Sequence, residues 1–145
     1  MTHNYQVVPF ERWHLDVLLD DGQAEPMIGP NLDPMALSYL EGQNSWTLVV
    51  DGKPALCGGT MEQWTGRSIG WAYLNSTTGK YMLFVTRGAK EILRKAGPGR
   101  IEITARADFP AGQRWARMLG FKIETPVLKR FGPEGEDHIG FVKFQ

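Results

Sequence analysis

Apolar positions change their period along the chain, and each change marks an element. Residues 5–8 (YQVV) read as a short strand, and residues 11–20 as a helix with Trp13, Val17 and Leu18 on one face. Residues 22–34, with three prolines and two glycines, read as a turn-rich connection between two helices. Asp33-Pro34 supplies an N-cap and a first helical residue, since proline there loses no N–H that the helix needs. The helix it opens runs through Met35, Leu37 and Leu40 and stops near Gly42.

Strands follow. Residues 45–50 are rich in β-formers, Asp51-Gly52 is a hairpin signal, and residues 55–64 return. Gly58-Gly59 inside the returning strand predicts a bulge or a close backbone approach. After a turn at 65–67, residues 69–74 (IGWAYL) make the next strand. The clearest helix spans 81–96, apolar at Met82, Val85, Ala89, Ile92 and Ala96, and Gly97-Pro98-Gly99 ends it. Gly88 in its middle costs about 1 kcal/mol against alanine, which predicts close packing there, against the sheet or a partner. Residues 100–106 (RIEITAR) alternate as a half-buried strand, and 111–119 form a short helix ending at Gly120. Residues 127–131 and 138–144 flank GPEGED as a terminal hairpin, with Phe141 and Phe144 expected in the core. Trp46, Trp64, Trp71 and Trp115 are expected to serve the core on both faces of the sheet.

The order β-α-α-β-β-β-α-β-α-β-β predicts one α/β domain over 1–145, with a mixed, mostly antiparallel sheet of six or seven strands and about four helices. The only parallel neighbours should be 69–74 and 100–105, joined by the helix from about 81.

Composition narrows the class. The 145 residues are 42% apolar and 22% charged, as in an ordinary globular protein. Sixteen basic side chains balance sixteen acidic ones, which argues against a dedicated non-specific nucleic-acid binder. No apolar run approaches the roughly 20 residues that span a bilayer, so no membrane partner is expected. No basic segment followed by an apolar one opens the chain, so no secretion signal and an intracellular location are expected. A single cysteine, Cys57, rules out a disulfide framework, and the scattered His3, His14 and His138 predict no metal site.

With the segment RWARMLGF after the fifth strand, this order resembles the GNAT acyltransferase fold. Members of that family carry a short Ala-rich helix ending in Leu-Gly-Phe there, which Leu119-Gly120-Phe121 matches. Three blocks, MLFVTRGAKEIL, RIEITARADFPAGQRWARMLGF and RFGPEGED, are similar to small GNAT-like proteins of tailed bacteriophages and prophages, relatives of an internal virion protein of the short-tailed phages. The likeness in order covers nearly the whole chain.

The resemblance implies acetyl-CoA as acyl donor and an amine of unidentified kind as acceptor. A pyrophosphate is best held by backbone N–H groups at a helix N-terminus. The candidate is the turn NSTTGK at 75–80, with Thr77, Thr78, Gly79, Lys80 and Tyr81 against the donor. Lys80 opposes the helix dipole, which asks for an anionic partner; the competing local reading is a plain N-capping turn. By the same resemblance Ala72, Tyr73 and Leu74 offer backbone groups to pantetheine, as to an added strand, with 103–105 across the cleft. Arg114 and Arg117 either reach phosphate or form a solvated basic face beside Trp115 and Met118.

Two departures stand out. NSTTGK has one glycine and no leading Arg or Gln, unlike the family's phosphate loop. Ala116 stands where many members have a proton-donating tyrosine, and Asp108-Phe109-Pro110 replaces a frequent asparagine. Candidate bases are Glu62, Glu102, Glu136, Asp137 and His138, each with a solvated-charge alternative, while Tyr73 could set a hydroxyl near the thioester. Cys57 reads as a small buried strand residue. Acceptor specificity falls to the loops 21–33 and 133–137. Two functions therefore compete: an acetyl-CoA-dependent N-acyltransferase, and a catalytically silent module of the same fold serving as a virion component or binding a host protein.

Overall fold

Alternating burial on the strands and a three-four repeat on the helices sort the side chains onto two faces of one sheet. The computed structural model describes residues 4–20, 25–29, 32–74 and 81–145. Its elements are β1 (Tyr5–Pro9), α1 (Arg12–Asp20), β2 (Glu25–Ile28), α2 (Pro34–Leu40), β3 (Asn44–Val50), β4 (Lys53–Trp64), β5 (Arg67–Leu74), α3 (Met82–Lys95), β6 (Arg100–Arg106), α4 (Pro110–Met118), β7 (Lys122–Leu128) and β8 (His138–Phe144). Seven strands run in the order β1-β3-β4-β5-β6-β8-β7, and β2 pairs with β5 off that path. Among the described pairs only β5 and β6 are parallel, with α3 as their crossover, as the sequence predicts.

On β6, Ile101, Ile103 and Ala105 are buried and alternate with half-buried Glu102 and Thr104. The buried set joins Leu48, Val85 and Trp115 in a core beneath α3 and α4. On the other face Leu15, Leu18, Leu40, Trp71 and Tyr73 form a second core beneath α1 and α2. Asp33 caps α2 as expected, its carboxylate accepting the Ala36 N–H at 2.8 Å. Gly88 packs against the sheet: a Cβ there would lie 3.1 Å from one Leu48 methyl and 3.2 Å from the other. Gly58 and Gly59 mark close approach, not a bulge. A Cβ on Gly58 would lie 2.9 Å from the Trp71 carbonyl oxygen, and one on Gly59 would overlap that of Asn44. The register shifts of β4 fall elsewhere, opposite Leu48/Val49 and at Glu62/Trp64.

Several expectations need correction. The buried face of α1 is His14, Leu15 and Leu18, while Trp13 is 54% exposed and Val17 is also exposed. A buried polar residue turns the helix. His14 Nδ1 accepts the Glu11 N–H at 3.0 Å, so the Thr47 hydroxyl 2.7 Å away must donate to it as well. Burial lowers the His14 pKa, against the opposing pull of Glu11 and Glu41. Thr47 Oγ1 lies 3.7 Å from the Cys57 thiol, whose pKa burial pushes up to about 12, so Cys57 is an inert core residue. Trp64 is 62% exposed and Phe144 70% exposed, each beneath a guanidinium, Arg67 at 4.7 Å and Arg100 at 5.7 Å. Met35 also faces solvent. The first strand of the terminal hairpin is 122–128, not 127–131. Pro126 argues against a central strand there, but β7 lies at the rim of the sheet, where proline is tolerated. Finally, the stretch read as a connection at 22–34 contains β2.

Candidate functional site

The site is the place where β5 and β6 part. They pair at Arg67↔Arg100, Ser68↔Ile101 and Ile69↔Glu102 and no further. Gly70 follows, and a Cβ there would lie 2.8 Å from Ile103 Cγ2. Beyond it, β2 lies antiparallel along the edge of β5 that turns toward β6, with Glu25↔Leu74, Pro26↔Tyr73 and Ile28↔Ala72. The Gly29 N–H then donates to the Thr104 carbonyl of β6 at 2.7 Å. Gly29 has φ +85°, and a Cβ there would sit 2.6 Å from the Gly70 carbonyl oxygen and 2.9 Å from Trp71 Cα, so only glycine fits. Ile28, 5% exposed, fills the gap from the α3 side. The Leu32 N–H donates to the Tyr73 hydroxyl at 3.0 Å.

The edge expected to stand open at Ala72, Tyr73 and Leu74 is therefore taken by the chain itself. The parting strands leave a row of unpaired backbone groups beside a core, and such a row needs a partner. Burial raises the Tyr73 pKa, and its hydroxyl holds Leu32 in place.

On the α1/α2 face a cavity of about 370 Å³ opens over Ile69, Glu102 and Thr104, walled by Glu124, Leu128 and Phe131. Charges along its floor are paired. Arg67 grips both carboxylate oxygens of Glu102, with Nη2 to Oε1 at 3.0 Å, and Arg100 Nε reaches Oε2 at 3.1 Å. Arg100 also binds Glu124, with Nη1 to Oε2 at 2.8 Å. Hydrogen bonding from Arg67 holds the Glu102 carboxyl below its usual range despite partial burial. As a candidate base, Glu102 is corrected: two guanidiniums make its carboxylate a poor proton acceptor.

Glu62 is exposed and pairs with Ser68, at the end of β5 away from Leu74. It borders a separate polar hollow of about 300 Å³ with Thr65, Lys95 and Gly97. It is not brought together with Tyr73. His138 begins β8 opposite Arg106, two residues along from the Thr104↔Gly140 pair and on the same face. Its ring stands 5.2 Å from that of Phe131 and its Nε2 lies 3.4 Å from Glu136 Oε1. An ionised carboxylate only accepts, so the Nε2–H donates to Glu136, while Nδ1 is buried and has no partner among the described residues.

Tyr81 occupies the N-cap of α3, and its own side chain makes no capping hydrogen bond. Thr77, Thr78, Gly79 and Lys80 lie outside the described residues. Ala116 is fully buried in the α3/α4 core, and beside it the Trp115 indole N–H donates to Thr86 at 3.1 Å, tying α4 to α3. Arg114 and Arg117 are exposed, and Arg117 stands 6.0 Å over the Phe141 ring, toward β8. Sequence reasoning overlooked Gly29, Arg67 and Thr104. Gly29-Pro30 was a visible signal, but it reads equally well as a turn. Among the described residues no group of three or more His, Cys, Asp and Glu could hold a metal, and no helix is long and apolar enough to cross a membrane.

No protein-family model matches the chain, and no curated protein matches its sequence. Solved structures do. The ribosomal-protein-S18-alanine N-acetyltransferase of Escherichia coli superposes with TM-score 0.72 at 16% identity, over 96% of this chain and 92% of that one. Mycobacterium smegmatis RimJ in complex with CoA-disulfide gives 0.65 at 17%, over 97% and 81%. An acetyltransferase of the GNAT family from Bacillus anthracis gives 0.68 at 10%, over 97% and 94%. At such identities what is shared is the fold, and that fold is GNAT.

Proposed function

We propose that this chain is an acyl-CoA-dependent N-acyltransferase that moves an acetyl group from acetyl-CoA to an amine. One observation carries the reading: β5 and β6 pair only as far as Ile69↔Glu102 and part beyond it, on the side where the chain leaves β5 for the crossover helix α3. A helix N-terminus favours an anion, and a parted strand edge favours an extended amide chain. In this reading the donor's pyrophosphate lies against the amides of residues 77–81 beside Lys80, and its pantetheine arm runs along Ala72–Leu74. β2 and Ile28 fill the place of the second of these contacts.

The amine enters from the α1/α2 face, through the cavity over Ile69 and Thr104. Acyl transfer needs an unprotonated nitrogen, and a thiolate is a tolerable leaving group, so Ala116 in place of a tyrosine does not forbid it. Glu102 is committed to Arg67 and Arg100, and His138 turns Nε2 to Glu136 with Nδ1 buried, so neither takes the proton in this reading and the amine enters unprotonated. The Escherichia coli neighbour named for an alanine of a ribosomal protein makes protein and peptide amines the first class to assay. The finer placement among small phage-encoded members rests on the blocks now seen as α3, β6–α4 and the β7–β8 turn.

Isothermal titration with acetyl-CoA tests the donor site. The wild type should bind, and Gly79→Asp should bind at least tenfold more weakly, because a side chain and a negative charge would meet the phosphates. Equal affinity refutes the site. Binding with no transfer to any of a broad set of amines and peptides favours the silent module instead.

A further inference from the structure

We propose that β2 is a detachable strand that competes with the acyl donor's amide-bearing arm for a single binding edge, Ala72–Leu74 of β5. The proposal rests on the acyltransferase reading above. Residues 72–74 spend one edge on β4, through Gly58↔Ala72, Cys57↔Tyr73 and Leu56↔Leu74. One row of N–H and C=O groups remains, and β2 has it. The donor's arm is a flexible chain carrying two amides, which pairs with a strand edge by the same bonds that β2 uses. The two occupants exclude one another.

The hold of β2 suits a competitor. The strand has four residues, Pro26 cannot donate, and the register slips between Pro26 and Ile28. Among the described residues its flanks add a bond to β6, from Gly29, and one to β5, from Leu32 to Tyr73. Ile28 is the apolar anchor, yet a hollow of about 30 Å³, bordered by Gly58, Gly70 and Ala72, lies beside it, so the gap is wider than Ile28 fills. The apparent affinity for the donor is then the intrinsic affinity reduced by the fraction of molecules whose β2 has left.

Hydrogen exchange of the full chain with and without acetyl-CoA, together with titration of the wild type, Gly29→Ala and Ile28→Ala, tests this. Gly29→Ala expels the segment by a clash with the β5 backbone, and Ile28→Ala loosens it without a clash. Acetyl-CoA should speed exchange at residues 25–29 of the wild type while slowing it at 72–74. Each substitution should tighten binding about tenfold, by raising the competent fraction. Wild type that binds with 25–29 as protected as before, or variants that bind no tighter, overturn the competition and leave the donor reading standing. No binding by any of the three folded proteins overturns both. Should Gly29→Ala fail to fold, Ile28→Ala and the wild-type exchange decide alone.

Discussion

Adding one methyl group at Gly59 should be far more damaging than adding one at Gly88, although the chemical change is the same. At Gly59 the new Cβ overlaps the Asn44 carbonyl oxygen and comes 2.8 Å from Ser45 Cα. Carbon atoms rest about 3.5–4.0 Å apart, so the overlap is most of an ångström and its partners are backbone. β3 is fixed by β1 on one side and β4 on the other, so it cannot simply step aside. Relief breaks pairing near Ser45↔Gly59, and overpacking of this kind costs roughly 1–3 kcal/mol before any lost hydrogen bond, each about 1 kcal/mol. We expect Gly59→Ala to lose about 3 kcal/mol, or roughly 6–12 °C in Tm for a domain of this size. At Gly88 the neighbours are the two methyls of Leu48 at 3.1 and 3.2 Å, the movable end of a side chain. Alanine there gains about 1 kcal/mol of helix propensity, which offsets the squeeze, so Gly88→Ala should stay within about 1 kcal/mol of the wild type. Urea unfolding followed by tryptophan fluorescence, compared at equal m, reads both differences. Gly59→Ala as stable as wild type, or less damaging than Gly88→Ala, would refute the packing account.

Acid sensitivity should have a component at His14. Its folded pKa is lowered, so the stability it contributes is fully present above the unfolded value of about 6.5 and is lost as pH falls through the folded value. His14→Asn keeps an acceptor but cannot titrate, and its urea midpoint should vary less with pH below 6.5 than that of the wild type; parallel profiles would contradict this. Deleting residues 131–145 should abolish folding, because β8 lies between β6 and β7 and takes the buried Phe141 and Val142 with it. A soluble truncation with a cooperative melt would count against that.

Elements whose partners are near in sequence, or whose pattern is long, were legible. The spacing from Met82 to Ala96 and the alternation of RIEITAR gave α3 and β6, and with them the parallel pair that parts at the site. β2 was not legible, because EPMI is short, contains a proline and pairs with residues 44–49 positions later. Nor could periodicity tell that α1 buries His14 in preference to Trp13, since that choice belongs to Thr47 on β3. Among site residues, Ala72–Leu74 read as an open strand edge, and the partner that takes it, β2, lies too far away in sequence to be read there. Glu102 looked like a base because its clamp, Arg67, is 35 residues away.

Proline sits on both rims of the sheet, Pro9 in β1 and Pro126 in β7, and β7 slips register twice against β8. A rim without a regular run of N–H donors is a poor template for a strand from another molecule, so crowded copies should not zip together edge to edge. Residues 72–74 carry a regular run on an inner edge, and β2 covers it. Whatever lifts β2 must fill that seam at once or leave it available to a neighbour.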